Sequence, residues 1–453
     1  MNQTGDELIK RILDLRFSAL QWRVVALCFL VALFDGFDTQ AVAFTGPAMI
    51  DAFQVDAKNL APVLTAGIVG MTMGAMLLGM LGDKLGRRRT LIICVLIFSV
   101  ATLLTAWSTH LNHIFILRVI AGFGMGGATP VLLALAAEYS PHRYRGLVTT
   151  GVLLALPAGA MSGGLLAAAM LPHWGWQSIY LVGGGVPLLL LVVLCFLLPD
   201  SLEYLYARRT VKSTGKVQAI LSNIAGYRVA LSAAVQAEEN RAILPAPRLR
   251  NLFSGPLRLT TAGVWSVYFF NWVAWFMLLS WLPTLLKQAG LDPLNAPYAS
   301  VTVNAAFIAF ALPLSWFLPR VNTLKILYLM FAVGIVVAIG LSVAVPQQLW
   351  LAAFLLIALA GFGVGGQQLA LNYLVVATYP TTVRATAMGW AIGMGRMGAI
   401  VGSALGGLVL SGVGTGGFFL ILTLPLGIAW LSLLLLRRRY QQAAVAEAEV
   451  AAH

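Results

Sequence analysis

The chain has 453 residues, 60% of them hydrophobic and 10% charged, with a mean hydropathy of +0.87. Those values exclude a soluble globular or disordered class and place it in a membrane. A net charge of +13 also marks nucleic-acid binders, but no soluble domain is expected to carry such a footprint, so the charge is read as topology and attraction to anionic lipid.

Residues 1–22 contain Asp6, Glu7, Lys10, Arg11, Asp14 and Arg16 and lack the apolar core of a secretory signal. They are expected to form a cytoplasmic tail. The first long apolar segment then carries Asp35-Gly36-Phe37-Asp38, with no charge in residues 24–34 or 39–50. An ionised carboxylate at bilayer depth costs several kcal/mol unless it is neutralised, paired or hydrated. Two of them three residues apart share one helical face, roughly 4.5 Å apart along the axis. No folding argument requires that pair, so it points to transport and proton handling. The competing reading is a pair that only braces a neighbouring helix.

Residues 59–82 are charge-free and long enough for one span. Two helices follow within 90–138. Residues 146–199 are about twice a span's length and break at Pro172-His173-Trp174-Gly175, which predicts two helices and a tight turn. The polar stretch 200–258 comes next. Beyond it, 259–286 and 293–319 each predict one span, 326–383 two around Pro346-Gln347-Gln348, and 385–436 two around Gly412–Gly417. The total is twelve: a bundle of six at 23–199, a cytoplasmic loop at 200–258, a bundle of six at 259–436 and a tail at 437–453. With the amino terminus inside, every Lys and Arg except Lys58, Lys287, Arg118 and Arg396 falls on the cytoplasmic side. Both termini are therefore expected to be cytoplasmic. Cys28, Cys94 and Cys195 lie in apolar segments, too scattered for disulfides or a metal site, and read as small buried hydrophobes.

The halves repeat. Ala121-Gly-Phe-Gly-Met-Gly-Gly127 recurs as Ala360-Gly-Phe-Gly-Val-Gly-Gly366, and the same offset carries Pro141 to Pro380 and Arg145 to Arg384. Two related bundles around a central site follow from a repeat of this size. Gly122-x-Gly124-x-x-Gly127 also satisfies a dinucleotide fingerprint. Neither a preceding strand nor a following acidic residue supports that, and small residues in a membrane helix serve close backbone approach.

Three motifs carry a family resemblance. Gly79-Met-Leu-Gly82-Asp83-Lys-Leu-Gly86-Arg87-Arg88-Arg89, Arg118-x-x-x-Gly122-x-Gly124-x-Gly126-x-x-x-Pro130 and Pro199-Asp200-Ser201-Leu202-Glu203-Tyr204-Leu205 resemble signature motifs of the major facilitator superfamily. Asp35-Gly-Phe-Asp38, Trp281-Leu282-Pro283, Arg384-Ala-Thr386 and Gly393-Met-Gly395-Arg396-Met-Gly398 narrow it to the aromatic acid:proton symporters, importers of benzoate-type anions in bacteria. The resemblance implies an all-α membrane protein of two pseudo-symmetric six-helix bundles in a bacterial inner membrane. It also implies proton coupling at Asp35 and Asp38 and an eleventh-helix Arg, Arg396, needed for transport. Two departures stand out: the second-half loop copy, Leu318–Lys325, is degraded, and Leu156-Pro157-Ala158-Gly159 departs from the pattern of proton antiporters, which favours symport over drug export.

Arg396 lies 12 residues past Arg384 and Asp35 lies 12 past Arg23, so both sit roughly 18 Å deep, near the midplane. The economical reading gives the substrate carboxylate to Arg396 and the proton to the Asp pair. The alternative for Arg396 is a structural pairing with a helix end or a carbonyl. Arg118 is expected either to tune Asp38 by pairing and release or to brace helices one and four, and it is counted among the candidate substrate-binding residues. Asn271 and Trp272 on helix seven lie deep enough to line a cavity, where an aromatic face stacks on a ring. Gln367, Gln368, Asn372 and Tyr373 form a polar cluster on helix ten suited to a phenolic hydroxyl; helix-to-helix hydrogen bonding is the competing role. Gly82, Asp83, Arg87, Glu138, Arg145 and Arg384 are read as a cytoplasmic gate, against simple interfacial solvation.

The reading is a proton-driven importer of small aromatic carboxylates working by alternating access, without cofactor or metal, in contact with lipid but not nucleic acid, and expected as a monomer. The alternatives are a carrier of another organic or sugar acid and, less favoured, a drug/proton antiporter. An intramembrane enzyme needs a nucleophile, metal cluster or base, and no His stands beside a deep carboxylate.

Overall fold

The computed structural model describes residues 9, 11–15, 17–208, 211–227, 252–253 and 257–436, and no strand occurs among them. Most of the two predicted tails, and the middle of the 200–258 connection, lie outside the described residues. Helix α1 (Ala19–Phe53) opens on a capping box: the Gln21 amide donates to Ser18 Oγ at 3.3 Å, and the Ser18 amide donates to Gln21 Oε1 at 2.8 Å. There follow α2 (Ala61–Leu85), α3 (Arg87–Thr105), α4 (Leu111–Tyr139), α5 (Arg145–Trp174) and α6 (Gln177–Leu197). Two short helices, Leu202–Arg208 and Val211–Ala225, precede α7 (Leu257–Gln288), α8 (Ala296–Phe317) and α9 (Thr323–Ala344). Helix α10 (Trp350–Thr378) contains a π-turn at Gly361–Gly365, and α11 (Thr381–Ile421) leads into α12 (Thr423–Ser432).

Among the described residues, eleven segments are long and apolar enough to cross a membrane. The last of them, Thr386–Leu436, runs for 51 residues, well over the ~20 that one crossing needs. Gly414 breaks it at φ +68°, a left-handed value that favours glycine. The break falls in the predicted Gly412–Gly417 turn. The predicted turn after Pro172 also forms: α5 ends at Trp174 and α6 starts at Gln177.

Close approach of small residues sets the packing that positions the site. A Cβ on Gly126 of α4 would collide with the backbone of Met71 on α2, and one on Gly36 of α1 with the backbone of Leu156 on α5. The glycine cluster of α4 therefore packs backbone on backbone, as its spacing predicts. Ile12, Leu13, Val217, Leu221 and Ile224 bury against the first bundle, so part of the polar connection is held to it. Cys28 and Cys94 are buried, but Cys195 is exposed, which corrects its reading as a buried hydrophobe: on the outward face of α6 it has lipid, not protein, to meet.

The bundles are clasped on the face opposite the α1 N-terminus. There Lys287 Nζ lies 2.6 Å from Asp51 Oδ2 and donates to the Pro47 carbonyl at 3.0 Å. Deeper in, the buried amides of Gln40 (α1) and Asn304 (α8) exchange hydrogen bonds of 3.3 and 3.2 Å.

Candidate functional site

Asp38 and Arg118 are both buried, and they form a bidentate pair in which Nη1 donates to Oδ1 and Oδ2 at 3.0 Å each. Helix α3 completes the cage with two threonines one turn apart. Arg118 Nη2 donates to Thr102 Oγ1 at 3.0 Å and to Thr105 Oγ1 at 3.3 Å, while Thr102 donates to Asp38 Oδ1 at 2.9 Å. The guanidinium carbon lies 5.2 Å from the centre of the Tyr180 ring, whose hydroxyl is 3.0 Å from Thr45 Oγ1. A desolvated pair of this kind survives only with good geometry and further hydrogen bonds, and both are present.

Asp35 is equally buried but has hydroxyl partners: Thr129 Oγ1 donates to Oδ2 at 2.8 Å and Thr39 Oγ1 to Oδ1 at 3.3 Å. Arg396 comes from the other bundle, half-buried on α11, and its Nη1 donates to the Met71 carbonyl of α2 at 2.7 Å. Asp35 and Arg396 are within electrostatic reach of each other. A cavity of about 510 Å³ of empty space, part of it open to solvent, lies between the bundles. Asp38, Gln40, Met71 and Arg118 line it from the first half, and Phe276 and Ser280 from the second.

The aromatic and amide residues are only partly brought together. Trp272 Nε1 donates to Gln368 Oε1, Gln368 Nε2 donates to Asn372 Oδ1 at 3.0 Å, and Tyr268 donates to the same Oδ1 at 2.8 Å. The Trp272 indole stacks on cavity-lining Phe276, centroids 5.5 Å apart, and lies where a Cβ on Gly395 would stand, beside Arg396. Asn271 is buried with its Oδ1 unpartnered, and Gln367 bonds back to the Gly363 carbonyl at 2.5 Å. Tyr373 is 38% exposed, off the face shared by Gln368 and Asn372.

The gate residues pair within their own bundles. Arg87 Nη1 lies 2.7 Å from Glu138 Oε2, and Glu138 also accepts from Ser201 and from the Glu203 amide. Arg145 donates to the Ala137 carbonyl and Arg384 to the Tyr379 carbonyl. Gly82 is buried in the last turn of α2, and its carbonyl accepts from the Gly86 amide at 3.0 Å. The Asp83 side chain lies outside the described residues. Burial works to raise the Asp200 pKa, but Lys216 at 2.7 Å and Arg88 at 3.6 Å outweigh it and hold the carboxyl below its ordinary value.

Sequence reasoning missed Thr39, Thr102, Thr105, Thr129, Gln40 and Asn304. Uncharged polar residues in apolar spans were the available signal, but a threonine hydroxyl can also satisfy itself on the carbonyl four residues back, as Thr45 does on Ala41 at 2.7 Å.

The profile of the Major Facilitator Superfamily matches residues 28–396. The 4-hydroxybenzoate transporter PcaK of Pseudomonas aeruginosa is 35% identical over 393 residues, 87% of each chain. The gallate transporter of Pseudomonas putida is 36% identical over 421 residues, 92% of each. Among solved structures, a D-xylose-proton symporter superposes with a TM-score of 0.70 at 16% identity, covering 90% of this chain and 97% of that one.

Proposed function

The chain belongs to the Major Facilitator Superfamily, and on that premise we propose that it imports small aromatic carboxylates of the benzoate and hydroxybenzoate type by proton symport. It is a transporter, not an enzyme. In this reading it is a monomer that crosses a bacterial inner membrane twelve times, the break at Gly414 dividing the last long segment, with both termini cytoplasmic.

The observation that carries the reading is the placement of opposite charges on opposite bundles next to the cavity, which Asp38 and Met71 line and which Asp35 and Arg396 flank from behind that lining. Asp35 and Asp38 come from α1, and Arg396 reaches across from α11 to a carbonyl of α2. A proton on Asp35 or Asp38 would remove negative charge from the cavity, and the substrate carboxylate would dock on Arg396, whose planar donors suit it. Phe276 offers an apolar ring face to the cavity and stacks on Trp272, which packs on Gly395, the residue before that arginine, and Gln368 and Asn372 offer amides to a phenolic hydroxyl. Reorientation is a rocking of the bundles about the site, with the Lys287 clasp opening and the basic face closing. The inner-face residues Gly82, Asp83, Arg87, Glu138, Arg145 and Arg384 would shape that closed state.

Uptake of labelled 4-hydroxybenzoate and gallate into proteoliposomes, with and without an inward proton gradient, tests the proposal. Accumulation dependent on the gradient and competed by benzoates supports it. Gradient-driven uptake of aliphatic or sugar acids without competition by benzoates would sink it.

A further inference from the structure

The two buried acids of α1, Asp35 and Asp38, differ in their main partners. Asp38 is gripped through both carboxylate oxygens by a guanidinium, which has five N–H groups and no lone pair to offer, and the one hydroxyl on it, Thr102, already accepts from Arg118 Nη2 at 3.0 Å. Protonating Asp38 would set an O–H against that fork and strip a buried cation of its counter-ion, which is strongly unfavourable. Asp35 instead faces hydroxyls, each of which can donate or accept. The Thr129 hydroxyl has a second acceptor in the Met125 carbonyl at 3.3 Å, and Thr39 has the Met71 and Met125 sulfurs at 3.9 Å. Turned to those acceptors, the hydroxyl oxygens are free to accept from a protonated Asp35. Both protonation states are thus satisfied with the heavy atoms in place.

Among the described residues, the charged or titratable groups around Asp35 are Asp38 on its own helix, Cys94 of α3 and Arg396 of α11. Helix α4 contributes Thr129 and, beyond it, Arg118, already committed to Asp38; α2 contributes Met71, and α5 packs its backbone at Gly36. Among the described residues no carboxylate lies within 4 Å of Arg396, whose Nη1 donates to the Met71 carbonyl, and the carboxylate that acts on it electrostatically is Asp35.

We propose that Asp35 alone exchanges the coupled proton, positioned by Thr129 and Thr39, while Asp38 stays ionised on Arg118. Loading Asp35 leaves Arg396 without a counter-charge and so creates the anion site: proton first, aromatic carboxylate second. The proton moves from water to a carboxylate oxygen of Asp35 and returns to water on the other side, with no other bond changed. The substrate in this scheme rests on the transport reading above; the identity of the proton site does not.

The test uses the purified full chain, substrate-free, titrated by infrared difference spectroscopy of the carboxylic-acid carbonyl band. Wild type minus Asp35→Asn should isolate one titrating band, and Asp38→Asn should retain it. Thr129→Val, which leaves every charge intact, should shift that band's midpoint, and Thr129→Ser should restore it. A wild type minus D35N difference with no titrating band, loss of that band in D38N, or a midpoint unmoved in T129V overturns the proposal. Calorimetry of 4-hydroxybenzoate binding in two buffers of different ionisation enthalpy should show proton uptake in wild type and none in D35N; uptake that persists in D35N also overturns it. A wild type that binds no aromatic carboxylate yet shows the Asp35 band sinks the transport reading and leaves the proton assignment standing.

Discussion

Arg396 and Arg118 are both arginines in apolar helices, yet their partners give them different consequences on removal. Arg118 neutralises a fully buried carboxylate, so Arg118→Gln leaves Asp38 uncompensated and should destabilise the protein by about 3–5 kcal/mol. A large drop in apparent unfolding temperature in detergent checks this; a wild-type melting curve would contradict it. Arg396 holds only a carbonyl across the bundle interface, so Arg396→Gln should leave the fold near wild type and strike binding. Removing the charged partner of a desolvated anion costs about 2–5 kcal/mol, and the lower end is a loss of about 30-fold in affinity. Equilibrium binding of labelled 4-hydroxybenzoate measures it. Both arginines stood out in the sequence as charges in apolar runs. The pairing of Arg118 with Asp38 was also expected, but the threonines of a neighbouring helix that complete its cage were not, and a backbone carbonyl was only the alternative partner for Arg396 because it has no sequence signature.

Helix contacts at the second scale are governed by missing side chains and by breaks in regularity. Gly126 lies backbone-to-backbone on Met71, the residue whose carbonyl receives Arg396. Gly126→Val should therefore push α4 from α2, at about 1–3 kcal/mol of overpacking, and displace the carbonyl from Arg396. Loss of both thermal stability and uptake is expected; a variant stable and active at wild-type levels would refute the packing argument. The repeat shows what a linear pattern conveys and what it leaves open. Ala121–Gly127 runs as regular α-helix, whereas its copy forms a π-turn at Gly361–Gly365. That turn, of a kind often found at functional sites, immediately precedes Gln367 and Gln368. At the helix ends, Asp200 holds Arg88 and Lys216 together. Its folded pKa is lowered, so the stability it contributes is present above the ordinary carboxylate range and lost as pH falls through the lowered value. The stability gap between wild type and Asp200→Asn should accordingly exist at neutral pH and close in acid, which thermal melts across that range would reveal.

At the scale of the whole molecule, the bundles are held together on one face by Lys287 and, deeper, by the Gln40–Asn304 amides. Asp51 is 66% exposed, so the ion pair is worth at most about 1 kcal/mol. A shift of that size still changes a two-state population ratio about 5-fold. Lys287→Gln should thus favour opening of that face, read as faster labelling of a cysteine introduced on it; unchanged labelling would mean the pair is only decorative. On the opposite face Arg87 pairs with Glu138 of the first bundle and with Glu203 of the short helix that follows it.

Hydropathy, charge asymmetry and the internal repeat determined the membrane class, the positions of the apolar helices and the presence of two acids and an arginine within them, because lipid tolerates few backbone solutions and penalises every charge by depth. The pairing of Arg118 with Asp38 was expected from depth, but which hydroxyls meet Asp35 and which complete the Asp38 cage was decided only in three dimensions. So were the separation of Asn271 and Tyr373 from the Trp272–Gln368–Asn372 chain and the clasp at Lys287. Partners on different helices are chosen by rotation and distance between those helices, and glycine contacts between backbones fix both without leaving a trace at the polar positions themselves.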